Sequence, residues 1–244
     1  MVLLHGAFGG GWAWCDGFAQ RLAGAGFHCY VPSLRAHGGS PSRAPLDTAS
    51  LADYVEDLEE VIERVGTAPA VVAHSLGGLV AQKLLERRPL PALALLAPVP
   101  PQGLLPVMSL IAARHPRVFM EILSLIHTGL ASRDGVREAL FADGLDAERL
   151  ERYYGLVQRE SLRAVWDAAL FDLPNPHSLR RVPMLVMGAA ADRLIAPEMV
   201  RLCARTLGAP CEIVPGMGHA MMLDRGWEGV ADRLAAWLGT AAAG

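Results

Sequence analysis

The sequence predicts an α/β fold built on a mostly parallel sheet with flanking helices. Apolar runs of strand length stand at Val2–Leu4, His28–Val31, Ala70–Ala73, Leu93–Leu96, Met184–Met187 and Glu212–Val214. Each is followed by a loop or a helical pattern, and that alternation implies parallel strands joined by right-handed crossovers. The 244 residues, 52% hydrophobic and 19% charged, are enough to bury one substantial core without disulfides.

The elements have local causes. Between Ser50 and Val65 the residues Leu51, Tyr54, Val55, Leu58, Val61, Ile62 and Val65 form one stripe at 3.6-residue spacing. Ser50 with Asp53 starts that helix and Gly66 stops it. Trp227, Val230, Ala231, Leu234, Trp237 and Leu238 repeat the pattern near the end, with Gly239 read as its stop and the tail Thr240–Gly244 as frayed. From about Pro100 to Leu179 the rhythm breaks into short helical patterns without a strand. The expected organisation is a core of residues 1–99 and 180–244 with a helical cap inserted at 100–179. Val118–Ile126 is apolar nearly all round, which suits a helix covered on two faces.

Composition excludes several function classes. A formal charge of −3 and the absence of a Lys/Arg stripe supply no field for nucleic acid. Cys15, Cys29, Cys203 and Cys211 form neither a C-x-x-C pair nor a zinc-finger pattern, so they read as reduced packing residues. Pro89–Ala113 is uncharged but contains six prolines, too many for a membrane span. Met1 opens no basic-then-apolar signal segment, which places the chain in the cytoplasm; whether it is a monomer or a homodimer is left open by the sequence. Lys83 is the only lysine; Schiff-base chemistry would depend on it alone, and its apolar helical flanks read as a snorkelling surface position.

The chemistry-bearing residues stand where strands end. After Ala70–Ala73 comes His74-Ser75-Leu76-Gly77-Gly78 and an apolar helix, a small-x-Ser-x-Gly turn. Such a turn strains the serine backbone and tolerates only small residues two positions away, here Ala73 and Gly77. Ser75 is therefore the candidate nucleophile. Its hydroxyl needs a base. Among eight histidines His219 fits, on the Gly216-Met217-Gly218 loop after the last strand, while His5 and His74 read as structural and His28, His115, His127 and His177 have no recognisable context. Asp192, following Met184–Met187, supplies the carboxylate that orients the imidazole; the other usual acid position, Ala97-Pro98-Val99, offers none. The glycine-rich run His5-Gly6-Ala7-Phe8-Gly9-Gly10-Gly11-Trp12 satisfies neither phosphate-binding glycine pattern, and is read instead as an oxyanion loop. Ala7 and Leu76 are assigned as the amide donors. Phe8, Leu104, Met108, Met120, Leu123, Trp166, Phe171 and Met221 are the expected pocket residues.

The order Ser75, Asp192, His219, with the His5-Gly6 loop and the Ala73–Gly78 elbow, resembles the α/β-hydrolase superfamily over essentially the whole chain. Within it, His5-Gly6-Ala7, Gly10-Gly11-Trp12-Ala13-Trp14 and Gly218-His219-Ala220-Met221-Met222-Leu223 are similar to carboxylesterases of the plant methylesterase and hydroxynitrile-lyase branch. The resemblance implies a cofactor-free serine hydrolase cleaving a small apolar carboxylic ester, thioester or lactone through an acyl-enzyme. Carbon–carbon hydrolases, cofactor-independent oxygenases and small-ligand receptors share the motif and stay open. The departures are informative. The family's β-hairpin ordinarily precedes the strand on which this chain begins. Ser33-Leu34-Arg35-Ala36-His37-Gly38-Gly39-Ser40 resembles the family's Asp-x-Arg-Gly-His-Gly-x-Ser turn with Ser33 and Ala36 substituted, and is read as structural. The lyases carry lysine and threonine where this chain has Ala220 and Gly6, which disfavours cyanohydrin cleavage. Epoxide and haloalkane hydrolysis require a carboxylate where Ser75 stands.

Overall fold

The computed structural model describes residues 1–42 and 44–241. Five parallel strands, β1 (Val2–Leu4), β2 (Val71–His74), β3 (Leu93–Leu96), β4 (Met184–Ala189) and β5 (Cys211–Val214), lie side by side in sequence order. Val2 aligns with Val71, Val71 with Leu93, Leu93 with Met184, and Val186 with Cys211. Alternate residues feed two cores. Leu4, Ala73, Leu95 and Val186 pack on one face. Leu3, Val72, Leu96 and Met187 pack on the other. Burial on both faces explains why the central strands read as unbroken apolar runs.

Helices α1 (Phe18–Gly24) and α10 (Trp227–Ala241) cover the second face; α2 (Leu51–Val65), α3 (Ser75–Arg87) and α9 (Pro197–Leu207) cover the first. The α2 start signal is realised as a reciprocal cap: Asp53 N–H donates to Ser50 Oγ at 3.1 Å, and Ser50 N–H to Asp53 Oδ2 at 2.7 Å. Gly66, at φ 73°, closes the helix in the left-handed region. A cap of this kind stabilises a helix by about 1 kcal/mol.

Between β3 and β4 run α4 (Leu104–Arg114), α5 (Pro116–Thr128), α6 (Arg133–Leu140), α7 (Ala147–Tyr154) and α8 (Leu162–Trp166), then a π-helical turn, Asp167–Phe171, with no strand among the described residues. This segment is sewn to the core by polar contacts. Ser161 Oγ donates to Ala49 O at 2.6 Å, and Leu51 N–H, at the start of α2, donates to the buried Asp167 carboxylate at 3.2 Å.

Three expectations need correction. His28–Val31 is not a full strand; only Tyr30 bridges to Val2, with Tyr30 N–H donating to Met1 O and Leu3 N–H to Tyr30 O. The next ladder donor in that register would be residue 32, a proline without an N–H, so pairing stops there. Gly239 does not stop α10, which continues through it to Ala241; Thr240 and Ala241 are helical, and residues 242–244 lie outside the described residues. Lys83 does not snorkel freely. Its side chain is 10% exposed and its ammonium pairs with Asp172 at 2.7 Å and Glu86 at 3.3 Å, tying α3 to the chain just after the π-helical turn.

Among the described residues no helix is long and apolar enough to cross a membrane, and no cluster of three metal-binding side chains occurs. The four cysteines are free thiols.

Candidate active site

The carboxyl ends of β2, β4 and β5 bring three distant residues together. Ser75 opens α3 directly after β2 with φ 52°, the left-handed conformation expected of a strained turn. The strain persists because the surroundings admit no alternative. A Cβ on Gly6 would stand 2.7 Å from Ser75 Cβ, one on Gly77 2.2 Å from His5 O, and one on Gly78 2.9 Å from Pro98 Cβ. Glycine at these places lets the first loop, the elbow and the end of β3 touch backbone to backbone.

His219 Nε2 lies 3.0 Å from Ser75 Oγ, and its Nδ1 lies 2.8 Å from Asp192 Oδ2. A carboxylate only accepts, so Nδ1 carries the proton, leaving the Nε2 lone pair to receive the serine O–H. Asp192 Oδ1 accepts from Leu194 N–H at 2.8 Å and Ile195 N–H at 2.9 Å. The turn-capping role and the imidazole-orienting role are thus divided between two oxygens of one residue. All three side chains are buried.

The oxyanion candidates lie in the first turn of α3 and in the first loop. Leu76 is the second residue of α3, where an N–H has no intrahelical acceptor, and the helix dipole adds positive potential. Ala7 lies between Gly6 and Phe8 in the first loop, and Phe8 is left-handed at φ 63°, held by Gln158 N–H donating to its carbonyl at 3.0 Å.

Behind this loop lies a polar layer. His5 Nδ1 donates to Gly6 O at 2.8 Å, and its Nε2 accepts from Leu34 N–H at 3.0 Å. Burial, with only partial compensation from the Gly6 carbonyl, lowers its pKa to about 4. His74 donates from Nε2 to His219 O at 2.9 Å; burial first, then the neighbouring His219, holds it well below the usual imidazole range.

Sequence reasoning missed the pair His37 and Glu160, both fully buried and 3.2 Å apart. Burial opposes charge on each, but Glu160 raises His37, and contacts from His37, Tyr54 and Ser161 N–H hold the Glu160 carboxyl below its ordinary value. Tyr54 O–H donates to Glu160 at 2.6 Å. Partners so far apart in sequence leave no local signal; the only cue was an Arg-x-His turn whose other half lay unrecognised in the helical segment.

His5 and His74, whose pKa values are lowered, destabilise the fold on acidification, whereas the raised His37 acts in the opposite direction. The unfolded chain protonates His5 near 6.5, whereas the folded protein resists until about 4. Stability therefore rises with pH through that window and falls on acidification, because the unfolded state binds the extra proton. His5 alone should remove about 2 kcal/mol between pH 6.5 and 5, and His74 acts in the same direction. Urea unfolding at pH 7 and pH 5 measures this. His5→Gln, which retains an acceptor for Leu34 N–H, should flatten the slope; an unchanged slope would show that His5 is not the group responsible.

Against the first loop and His74 lies an almost wholly apolar cavity of about 90 Å³, lined by residues close in sequence to Ser75, Asp192 and His219 (His74, Leu194 and Ala220) rather than by those three themselves. Of the expected pocket residues only Phe8 lines it. Leu104 and Met108 pack against the core, Leu123 is half-buried away from the cavity, and Met221 is fully buried in the second core. Met120, Trp166 and Phe171 are exposed at 62%, 55% and 73%, the last two beside Arg163 in a surface groove. The walls are instead Ile122 and Leu125 of α5, Val136 and Ala139 of α6, Leu194, and Met222 in place of its neighbour Met221. The error is one of phase. An α5 that is apolar nearly all round does not reveal which stripe faces inward.

A family model described as the alpha/beta hydrolase family matches residues 1–233. The chain belongs to this family. Solved structures agree on the fold of this alpha/beta hydrolase. A bromoperoxidase from Bacillus anthracis has a TM-score of 0.78 at 18% identity, covering 98% of this chain and 91% of its own. A thermophilic esterase from Thermogutta terrifontis has a TM-score of 0.75 at 21% identity, covering 98% and 89%. An extracellular alpha/beta-hydrolase from a Paenibacillus species, whose description reports structural and functional homology to tobacco salicylic acid binding protein 2, has a TM-score of 0.74 at 16% identity, covering 96% and 97%. No curated protein sequence matches the chain.

Proposed function

We propose that this alpha/beta hydrolase is a cofactor-free serine hydrolase that cleaves a small apolar carboxylic ester, or a thioester or lactone open to the same attack. The observation that carries the reading is the continuous hydrogen-bonded chain from Ser75 through His219 to Asp192. Ser75 Oγ attacks the carbonyl carbon as His219 Nε2 takes its proton, and Asp192 stabilises the imidazolium. The Ala7 and Leu76 amides hold the oxyanion. The imidazolium returns the proton to the leaving alcohol as the carbon–oxygen bond breaks. Water, deprotonated by His219, then releases the acid and restores Ser75.

Residues 100–179 act as a cap on the two-part core, with α5 and α6 supplying the apolar wall of the acyl site. The cavity of about 90 Å³ supports a short acyl group. Free thiols suit a reducing, cytoplasmic setting.

Turnover of p-nitrophenyl esters from acetate to decanoate tests the size argument. kcat/KM should be greatest between acetate and butyrate and fall steeply by octanoate. A maximum at decanoate would contradict the short acyl site, and hydrolysis of none of the series would favour a ligand-binding role over an esterase.

A further inference from the structure

Asp224 is a fully buried carboxylate that the mechanism above does not use. Its Oδ2 accepts from Gly218 N–H at 2.6 Å and from Ala142 N–H at 2.9 Å, and its Oδ1 accepts from Arg225 N–H at 2.8 Å. The first two donors belong to different parts of the molecule. Gly218 immediately precedes His219. Ala142 follows α6 by two residues, and Val136, Ala139 and Leu140 of that helix line the cavity. One carboxylate therefore spans the loop that carries the imidazole and the segment that walls the pocket.

The surrounding backbone tightens the same junction. Ala220 N–H, on the other side of His219, donates to Leu140 O at 2.8 Å. Gly218 packs so closely that a Cβ on it would stand 2.5 Å from Ala142 N and 2.6 Å from Phe141 C. His219 is bracketed at positions 218 and 220 by contacts to residues 140–142. Asp224 supplies the charge-assisted part of that bracket, and its burial keeps water from competing for the two N–H groups.

We propose that Asp224 is a positioning residue for the base: by fixing Gly218 against Ala142 it sets the height and tilt of the His219 imidazole between Asp192 and Ser75. The inference rests on the reading of His219 as the base. It places Asp224 outside contact with substrate, so its removal should act on the reacting geometry rather than on binding. A displacement of about 1 Å at a reacting group costs on the order of 100-fold in rate.

The test compares Asp224→Ala, Asp224→Asn and Asp224→Glu on p-nitrophenyl butyrate, with Ser75→Ala and His219→Ala alongside. Asp224→Ala should lower kcat by about 100-fold, leave KM within about twofold, and slow fluorophosphonate labelling of Ser75 by the same factor as kcat. Asp224→Asn, whose amide oxygen still accepts from Gly218 and Ala142 but whose NH2 replaces the acceptor of Arg225 N–H, should keep kcat at least tenfold above that of Asp224→Ala. Asp224→Glu keeps the charge but pushes the loop outward, and should lose at least tenfold in kcat. If Asp224→Ala does not fold, Asp224→Glu decides. Wild-type kcat in a folded Asp224→Ala protein, or in Asp224→Glu, overturns the proposal, as does a loss that lies wholly in KM. Should Ser75→Ala or His219→Ala retain turnover, the esterase reading itself fails. Should both be silent while the Asp224 variants work normally, only the positioning role falls.

Discussion

Ser75→Ala is expected to abolish ester turnover while leaving the protein folded. Loss of the nucleophile from such a triad costs about 10⁶-fold in kcat, because the histidine and the acid have no function without it. The residual rate would come from the proposed Ala7 and Leu76 oxyanion donors and from binding alone. Folding should survive because the hydroxyl makes one hydrogen bond, to His219, while alanine keeps the Cβ that meets Gly6. Alanine retains the same left-handed strain at φ 52°, so the elbow should keep its shape. The measurement is kcat on p-nitrophenyl butyrate with thermal melting as the control. Full activity in a folded Ser75→Ala protein would remove the mechanism.

Gly77→Ala is expected to have a large effect on stability as well as on activity, and for a steric reason. The added Cβ would stand 2.2 Å from the carbonyl oxygen of His5 and 3.1 Å from its carbonyl carbon. Neither atom is the tip of a flexible side chain. His5 is held by its own bonds to Gly6 O and Leu34 N–H, and Gly77 lies in the first turn of a helix packed on the sheet. Relief therefore requires α3 or the first loop to move, and the Ala7 amide moves with it. Overpacking of this kind costs about 1–3 kcal/mol or more, and at about 2–4 °C per kcal/mol for a domain of this size the melting temperature should fall by about 5–10 °C. Activity should fall by at least tenfold if the Ala7 amide is the oxyanion donor proposed above. Gly229→Ala is the control: Gly229 is exposed in α10 with open space at its Cβ, so the same substitution should leave melting unchanged or raise it slightly. Equal effects at the two sites would show that the contact with His5 O does not matter.

Residues whose signal is local were legible before the structure. The central strands announced themselves because parallel strands are covered on both faces, and α2 did so through one amphipathic stripe with matching ends. The candidate Ser75 stood out because the elbow demands small residues at fixed offsets, and the candidates Asp192 and His219 because each follows a recognisable strand; the structure brings the three side chains within hydrogen-bonding distance. Legibility failed where the deciding contact is remote. Tyr30 loses its ladder to the missing N–H of Pro32, which needs the register against Met1 and Leu3 to be known. Gly239 looked like a helix stop, yet open space around it and the packing of Leu234 and Leu238 let α10 continue. The pocket depended on helix phase. Ile122 and Leu125 turn inward while Met120 faces solvent, and a helix apolar on most sides does not encode that choice. Glu160 and Asp224 were invisible because their partners, His37 and Ala142, lie across the fold.

The proposed chemistry requires the fold to make one serine hydroxyl strongly nucleophilic through an oriented imidazole. Its most direct measurement is the rate and site of covalent modification by a fluorophosphonate, read by peptide mass mapping in the parent protein and in His219→Ala. The account predicts a single phosphonyl adduct on the peptide containing Ser75, formed rapidly in the parent and slowed by several orders of magnitude without the imidazole. Adduct formation at another residue, or at Ser75 with equal speed in both proteins, would contradict it.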